Sequence, residues 1–318
     1  MYTKGELPQY VEFSVPEPQN EDEILVKVKA VAIKHFDKGL VNGTHYASSE
    51  PRSGGKVIGG DGVCMLPNGN RVYAIGISGM LAEKATINRH RCVAIPDKLD
   101  DATAAALPNA VYGAAMALRF KGNIQSGDTV LINGATGFTG RVALQLAKYY
   151  GAGKTIVTGR DRQSLGDLLL SGADEAISVK LNDDAFLSAV HELHQKTPIQ
   201  VVIDYLWGRT AEIILSAIKG HGDFTVRTRF VSVGSVTWDL INLSAASLRG
   251  TDLQLTGSGL GAWSAAQVDE LFNNILPETF ALAADGKLKV ETLQVPIADI
   301  GSLWDLQVPG GKRLVVTV

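Results

Sequence analysis

The run Val130-Leu131-Ile132-Asn133-Gly134-Ala135-Thr136-Gly137-Phe138-Thr139-Gly140 sets an apolar strand, a glycine turn and a helix start in immediate succession. Glycine lets the main chain turn tightly and lets backbone approach a charged group. The free N–H groups at a helix start, reinforced by the helix dipole, bind phosphate oxygens. The spacing Gly137-x-x-Gly140 matches the second half of a dinucleotide fingerprint. Ala135 stands where the first glycine is usual, with Gly134 one place earlier. Gly134, Thr136, Gly137, Phe138, Thr139 and Gly140 are therefore candidate pyrophosphate-binding residues, and Gly140 would let the helix pack close to the strand. An ordinary strand-to-helix turn is the plainer reading. The strand–helix alternation that continues behind it favours a bound dinucleotide.

The second chemically informative stretch is Thr155-Ile156-Val157-Thr158-Gly159-Arg160-Asp161-Arg162. In a unit that binds NAD, an acidic residue at the end of the second strand holds the ribose hydroxyls. Here the strand is read as Thr155 to Thr158, with Gly159 next. A small uncharged residue there removes the carboxylate that would repel a 2′-phosphate, and Arg160 supplies a bidentate donor for one. Arg162 could add a second. The expectation is NADPH rather than NADH. Two alternatives stay open: both arginines as solvated surface residues, and Asp161 as a ribose ligand if the strand runs further.

These groups need a scaffold, and the chain supplies a pattern for one. Its 318 residues, 45% hydrophobic and 20% charged, are ordinary globular composition with room for two domains. A formal net charge of -3, without a basic run, gives no footprint for nucleic acid. The first third reads as β: Glu23 to Ile33 alternates, Val57 to Val63 is glycine-laced, and Asn70 to Ile75 follows the turn-like Pro67-Asn68-Gly69. From Asp100 the texture changes. A helix is expected over Ala102 to Leu107, an interruption at Pro108, and a second helix over Ala110 to Phe120. Strands at Thr129–Asn133, Thr155–Thr158, Ala176–Val179, Gln200–Asp204, Arg229–Val233 and Asp252–Thr256 then alternate with helices at Thr139–Tyr150, Gln163–Leu170, Asp184–Gln195 and Thr210–Lys219. That alternation means parallel βαβ units in a doubly wound sheet. Gln267 to Ala284 is helical in pattern and broken at Pro277. Arg313 to Val318 alternates as a strand and is expected to return to the first domain, which makes that domain discontinuous: residues 1–108 with 277–318, around a dinucleotide-binding domain at 109–276.

Other reactive side chains carry less. Cys64 and Cys92 match no zinc-ligand spacing and read as packed thiols. His191 and His194 share a helix face, but no third ligand accompanies them, so a solvated face is favoured over a metal. Met1 to Tyr10 is polar and carries no apolar signal core, so the expected location is the cytoplasm.

Taken together, Asp97 to Tyr112 (DKLDDATAAALPNAVY), Asn133 to Lys148 (NGATGFTGRVALQLAK), Gly172 to Ile177 and Gly310 to Val318 resemble the zinc-independent quinone oxidoreductases of the medium-chain dehydrogenase/reductase superfamily, over nearly the whole chain. The resemblance implies an α/β protein: a GroES-like β-barrel domain plus a Rossmann doubly wound parallel sheet, with the active site in the cleft between them. It also implies a homodimer joined along the Rossmann sheet edge near Asp252 to Ser258. Val233, Gly234 and Ser235 are expected beside the nicotinamide, with Gly257 and Ser258 close by and Asn109 and Tyr112 lining the cleft. Tyr46 matches a stretch that often carries a substrate-facing tyrosine. It is the candidate catalytic residue, and a plain surface tyrosine is an equal reading. Zinc-dependent relatives place cysteine and a His-Glu pair where this chain has Lys34-His35-Phe36-Asp37 and Gly59-Gly60-Asp61, so no metal is expected. Lys34 either polarises a carbonyl or pairs with Asp37, the pairing being favoured. Trp207 either flanks the cofactor or packs in the core. The expected activity is NADPH-dependent hydride transfer to a quinone or an α,β-unsaturated carbonyl. The alternatives are an enoyl- or acrylyl-thioester reductase, and an NADPH-binding protein without catalysis, such as a sensor or a crystallin-like protein.

Overall fold

The structure is a computed structural model that describes residues 1, 6–43, 55–220 and 225–318. In chain order its elements are β1 (Glu23–Ala32), α1 (His35–Asn42), β2 (Asp61–Met65), β3 (Arg71–Gly76), β4 (Lys84–Ala94), α2 (Asp101–Met116), β5 (Thr129–Asn133), α3 (Phe138–Tyr149), β6 (Lys154–Gly159), α4 (Arg162–Leu170), β7 (Glu175–Ser178), α5 (Asp183–Lys196), β8 (Val201–Asp204), α6 (Gly208–Ala217), β9 (Thr228–Ser232), α7 (Ala245–Gly250), β10 (Leu253–Gly257), α8 (Ala265–Glu270), α9 (Leu276–Ala284), β11 (Glu291–Pro296), α10 (Ile300–Leu303) and β12 (Lys312–Thr317). The chain forms two compact units, Met1–Asn109 with Asp269–Val318, and Ala110–Val268.

The first unit is built on one six-stranded sheet in the order β11-β12-β1-β2-β3-β4. The long strand β1 closes it, because its first half pairs with β4 and its second half with β2 and then β12. Alternation along β1 turns Val26 and Val28 inward. They join Val31, Tyr73, Ile87, Trp304 and Val316 among the buried residues that fill the barrel-like sheet. The C-terminal strand lies in this unit, Ala30 pairing with Thr317. Strands β4 and β11 were not anticipated. The polar run Asn88 to Arg91 in β4 is largely exposed, so its apolar positions show no clean alternation.

The second unit is a parallel six-stranded sheet in the order β10-β9-β8-β5-β6-β7. The central strand β5 is buried at every position, as a strand covered on both faces must be. The chain runs outward from β5 through β6 to β7, then returns to β8 on the other side. The point where the order reverses lies between β5 and β8. Outside the carboxyl ends of strands at such a point, α/β proteins form a crevice for ligands.

Two proline expectations fail. Pro108 does not end a helix: α2 runs through it without interruption. The lost N–H removes one bond of a sixteen-residue helix. Around it Ala104 to Leu107 and Ala110, Val111 and Ala114 to Leu118 are at most 1% exposed, and that burial outweighs the local penalty. Pro277 does not break its helix either. Between α8 and α9 the backbone widens into a π-turn over Leu271–Ile275, with Leu276 N–H bonded to the Leu271 carbonyl. The wider turn reassigns the carbonyls just where Pro277 has no donor to offer.

Candidate functional site

The carboxyl ends of β5, β6, β9 and β10 carry the sequence-predicted cofactor residues other than Asn109, which lies on α2. Gly134 follows β5 with φ +85, a conformation that favours glycine. Gly137 is the N-cap of α3 in extended conformation, so no side chain caps that helix. The helices α4 and α5 are capped instead by Asp161 and Asn182. The first-turn N–H groups of α3 therefore have no internal side-chain acceptor, and an external anion can serve. A Cβ on Gly137 would meet nothing within 4 Å, whereas one on Gly140 would lie 2.5 Å from Ala135 Cα. Gly137 thus borders open space, and Gly140 is required by the contact of helix against turn. Phe138 is buried and Thr136 and Thr139 are half-buried. This cradle of open glycine backbone at an uncapped helix start fits a pyrophosphate.

Strand β6 extends one residue beyond the sequence expectation, through Gly159. A Cβ there would come 2.3 Å from Thr136 Cγ2, so this glycine also makes room for the glycine turn. Arg160 and Arg162 are exposed, and neither forms an ion pair among the described residues. Asp161 is occupied elsewhere: its Oδ2 accepts the Ser164 N–H at 2.7 Å. That bond holds its carboxyl below the usual range, helped by the charge of Lys180. Lys180 is a third cation on this edge that sequence reasoning overlooked, because it belongs to the neighbouring strand's loop.

On the other side of the switch point, Val233 and Gly234 donate to the Asp204 carbonyl at 2.8 and 3.3 Å. Ser235 is exposed. Gly257 ends β10 opposite Ser232. Ser258 is buried, and its Oγ accepts the Trp263 indole N–H at 3.1 Å. Tyr112, on α2, meets Trp263 edge to face at 6.2 Å. Asn109 is half-buried on the same helix. Trp207 packs edge-on against Phe230 with ring centroids 6.2 Å apart, as a partly buried member of the sheet's core cluster. Tyr46 lies outside the described residues.

Sequence reasoning also overlooked a buried polar chain beneath the glycine turn. Thr158, Asn133 and Asp204, at or next to the ends of β6, β5 and β8, are each 0% exposed. Burial pushes the Asp204 carboxyl upward, against hydrogen bonds from Leu206, Asn133 and Trp207. The available signal was the polar residue closing each otherwise apolar strand.

In the first unit, Lys34 does more than pair with Asp37. Its ammonium makes a short contact with Asp61 Oδ1 and lies 3.4 Å from Asp37 Oδ2. Its side chain is only 3% exposed, and Tyr73 Oη donates to the second Asp61 oxygen at 2.9 Å. Lys34, Asp37 and Asp61 thus form a buried ion cluster where the zinc-dependent pattern would carry ligands. Burial brings the nearby Arg313 guanidinium down to about 10, against the opposing pull of the Asp37 and Asp61 charges. The histidine pair is neither a metal face nor a solvated one. His191 Nδ1 lies 2.8 Å from the Ala217 carbonyl, and buried His194 accepts the Ile199 N–H at Nδ1. Both rings are committed to backbone. Among the described residues no group of three metal-ligating side chains occurs. Both cysteines are free, and burial pushes the Cys64 thiol up to about 12.

Comparison with known proteins agrees with this geometry. The family described as zinc-binding dehydrogenase matches residues 139–275. A probable quinone oxidoreductase of Leishmania amazonensis is 28% identical over 236 residues, 71% of this chain and 65% of the relative. Human quinone oxidoreductase is 27% identical over 234 residues, 70% of this chain and 68% of the relative. A highly reducing polyketide synthase of Arthrinium phaeospermum is 29% identical over 276 residues, 81% of this chain but 11% of that protein. The chain thus matches somewhat under two thirds of the length of the Leishmania relative. In fold it is similar to a mycobacterial quinone oxidoreductase, with TM-score 0.82 at 20% identity, covering 100% of this chain and 98% of that one. It is also similar to the quinone oxidoreductase of Thermus thermophilus, solved with NADPH, with TM-score 0.72 at 22% identity, covering 96% and 95%.

A closed, mainly antiparallel sheet and a doubly wound parallel sheet give the chain the medium-chain dehydrogenase/reductase fold. In sequence the chain is similar to quinone oxidoreductases over 61 to 71% of its length.

Proposed function

We propose that this protein is an NADPH-dependent oxidoreductase that reduces a quinone or an α,β-unsaturated carbonyl. The observation that carries the reading is the uncapped α3 start behind Gly134 and Gly137, set beside Arg160 with Asp161 turned away. The turn that Gly134 begins would hold the pyrophosphate through the backbone N–H groups of Thr136 to Gly140, since those of Gly134 and Ala135 are bonded to Thr158. Arg160 and Arg162 would pair with the 2′-phosphate, where a free carboxylate would repel it. Val233, Gly234, Ser235, Gly257 and Ser258, with Asn109, would border the nicotinamide. When bound, the cofactor supplies a hydride from its nicotinamide ring. The protein's part is to orient the two reactants, exclude water and offer a donor to the acceptor oxygen. Tyr46 is the proposed donor.

A homodimer across the β10 edge belongs to the same reading. Among the described residues strand β10 pairs only with β9, and a row of unpaired backbone groups is a template for a second strand. A second reading, enoyl- or acrylyl-thioester reduction, draws on the length of the polyketide synthase match. Among the described residues no helix is long and apolar enough to cross a membrane.

NADPH oxidation followed against 1,2-naphthoquinone, a 2-alkenal and acrylyl-CoA, each repeated with NADH, tests the proposal. Turnover with the quinone or the alkenal and a preference for NADPH are expected. Turnover with acrylyl-CoA alone selects the second reading. Tight NADPH binding without turnover on any of the three favours a binding protein.

A further inference from the structure

The glycine turn is joined by side-chain hydrogen bonds to the strand on the far side of the switch point. Thr158 Oγ1 accepts the Gly134 N–H at 3.0 Å and donates to Asn133 Oδ1 at 2.6 Å. Asn133 Nδ2 donates to Asp204 Oδ1 at 2.7 Å and to Thr210 Oγ1 at 3.0 Å. The Asp204 carboxylate then accepts the N–H groups of Leu206 at 3.0 Å and of Trp207 at 3.1 Å. Every polar atom of the Asn133 carboxamide is used in a direction that only one orientation satisfies. A fully satisfied network at 0% exposure is rigid, and losing one member strands its neighbours in low dielectric.

The far end of the chain holds a strained turn. Trp207 adopts φ +59 and ψ -158, a region that is essentially glycine's own. Its carbonyl accepts hydroxyl bonds from Thr210 and Thr237 while its N–H is held by Asp204. That turn returns to the near end, because a Cβ on Gly134 would lie 2.8 Å from the Leu206 side chain. Gly134 is therefore fixed from two directions, by the Thr158 hydroxyl below and by Leu206 beside it. Neither contact supplies a group to a ligand.

We infer that Thr158, Asn133 and Asp204 are positioning residues for the cofactor: together they set the conformation in which the Gly134–Gly140 backbone receives a pyrophosphate. This rests on the reading of that turn as an NADPH cradle. A bond lost from a preorganised network is felt in the affinity of whatever the network orients, while the same fold persists.

The test uses the full chain and two readouts, the NADPH dissociation constant from fluorescence titration and the melting temperature. Thr158→Val, which keeps the shape and deletes the hydroxyl, is expected to weaken NADPH binding about tenfold. Thr158→Ser, which restores the hydroxyl, is expected to bind within about twofold of the unmodified chain. Asp204→Asn, which preserves volume but withdraws the charge from three donors, is expected to weaken binding as Thr158→Val does. It supplies the answer should Thr158→Val not fold. Val190→Ala in the core on α5 is expected to lower the melting temperature and leave NADPH affinity unchanged. Normal binding by Thr158→Val or by Asp204→Asn, or an equal loss in Thr158→Ser, would overturn the inference while leaving the cofactor reading intact. Failure of the unmodified chain to bind NADPH would overturn both.

Discussion

Asp161 Oδ2 accepts the backbone N–H of Ser164 at 2.7 Å, which makes it the cap of α4. One residue away, Arg160 is exposed at the end of β6. The carboxylate at this edge is thus spent on its own helix, while the guanidinium faces outward. Arg160→Ala should raise the NADPH dissociation constant about tenfold and leave NADH binding unchanged, as loss of a charge-assisted pair to a 2′-phosphate requires. Equal effects on the two cofactors in a titration would remove Arg160 from that role. Asp161→Ala should lower the melting temperature modestly without changing the preference between cofactors.

The two glycines at the start of α3 should separate binding from folding. Gly137 has extended dihedrals and open space around its missing Cβ. Gly137→Ala should therefore keep its melting temperature and lose NADPH affinity, because the new methyl group would stand where phosphate oxygens approach. Gly140→Ala drives a methyl group to 2.5 Å from Ala135 Cα, so both quantities should fall. Unimpaired NADPH binding by Gly137→Ala would argue against a pyrophosphate at this turn.

The ion cluster of the first unit predicts a large stability effect. Lys34→Met leaves Asp37, 1% exposed, and Asp61 without their closest counter-charge. Breaking one side of a buried pair costs about 3 kcal/mol. Urea unfolding that shows a change below about 1 kcal/mol would mean the carboxylates relax to water.

His194 gives a pH dependence whose sign follows from its surroundings. Burial, aided by the charge of His191, lowers its folded pKa from 6.5. Its Nδ1 must stay unprotonated to accept the Ile199 N–H. Between the two pKa values the unfolded chain binds more protons than the folded one, so stability rises with pH there. The stabilisation is complete above pH 6.5 and is lost as pH falls through the lower folded value. His194→Gln, which retains an acceptor, should flatten melting temperature against pH across that window. An unchanged slope would assign the dependence to other groups.

Much of the fold was legible because its signals are local. Burial of β5 on both faces demands the continuous run Thr129 to Asn133, and the glycine turn follows from conformations that only glycine adopts readily. Alternation of strands and helices identified the parallel sheet, and the Gly137-x-x-Gly140 spacing located the glycine turn at the start of α3. Those features needed no knowledge of distant neighbours. Pro108 and Pro277 misled because local propensity there is overruled, in one case by burial of α2 and in the other by a widened turn. The role of Asp161 was undecided until the end of β6 was known to the residue. Lys34 with Asp61, and Thr158 with Asn133 and Asp204, are partners separated by 25 to 71 positions. Sequence alone determined which residues are polar in these places and which strands carry them. Only tertiary structure decided their pairing, because hydrogen bonds and ion pairs depend on distance and direction in space, and strand order brings those ends together.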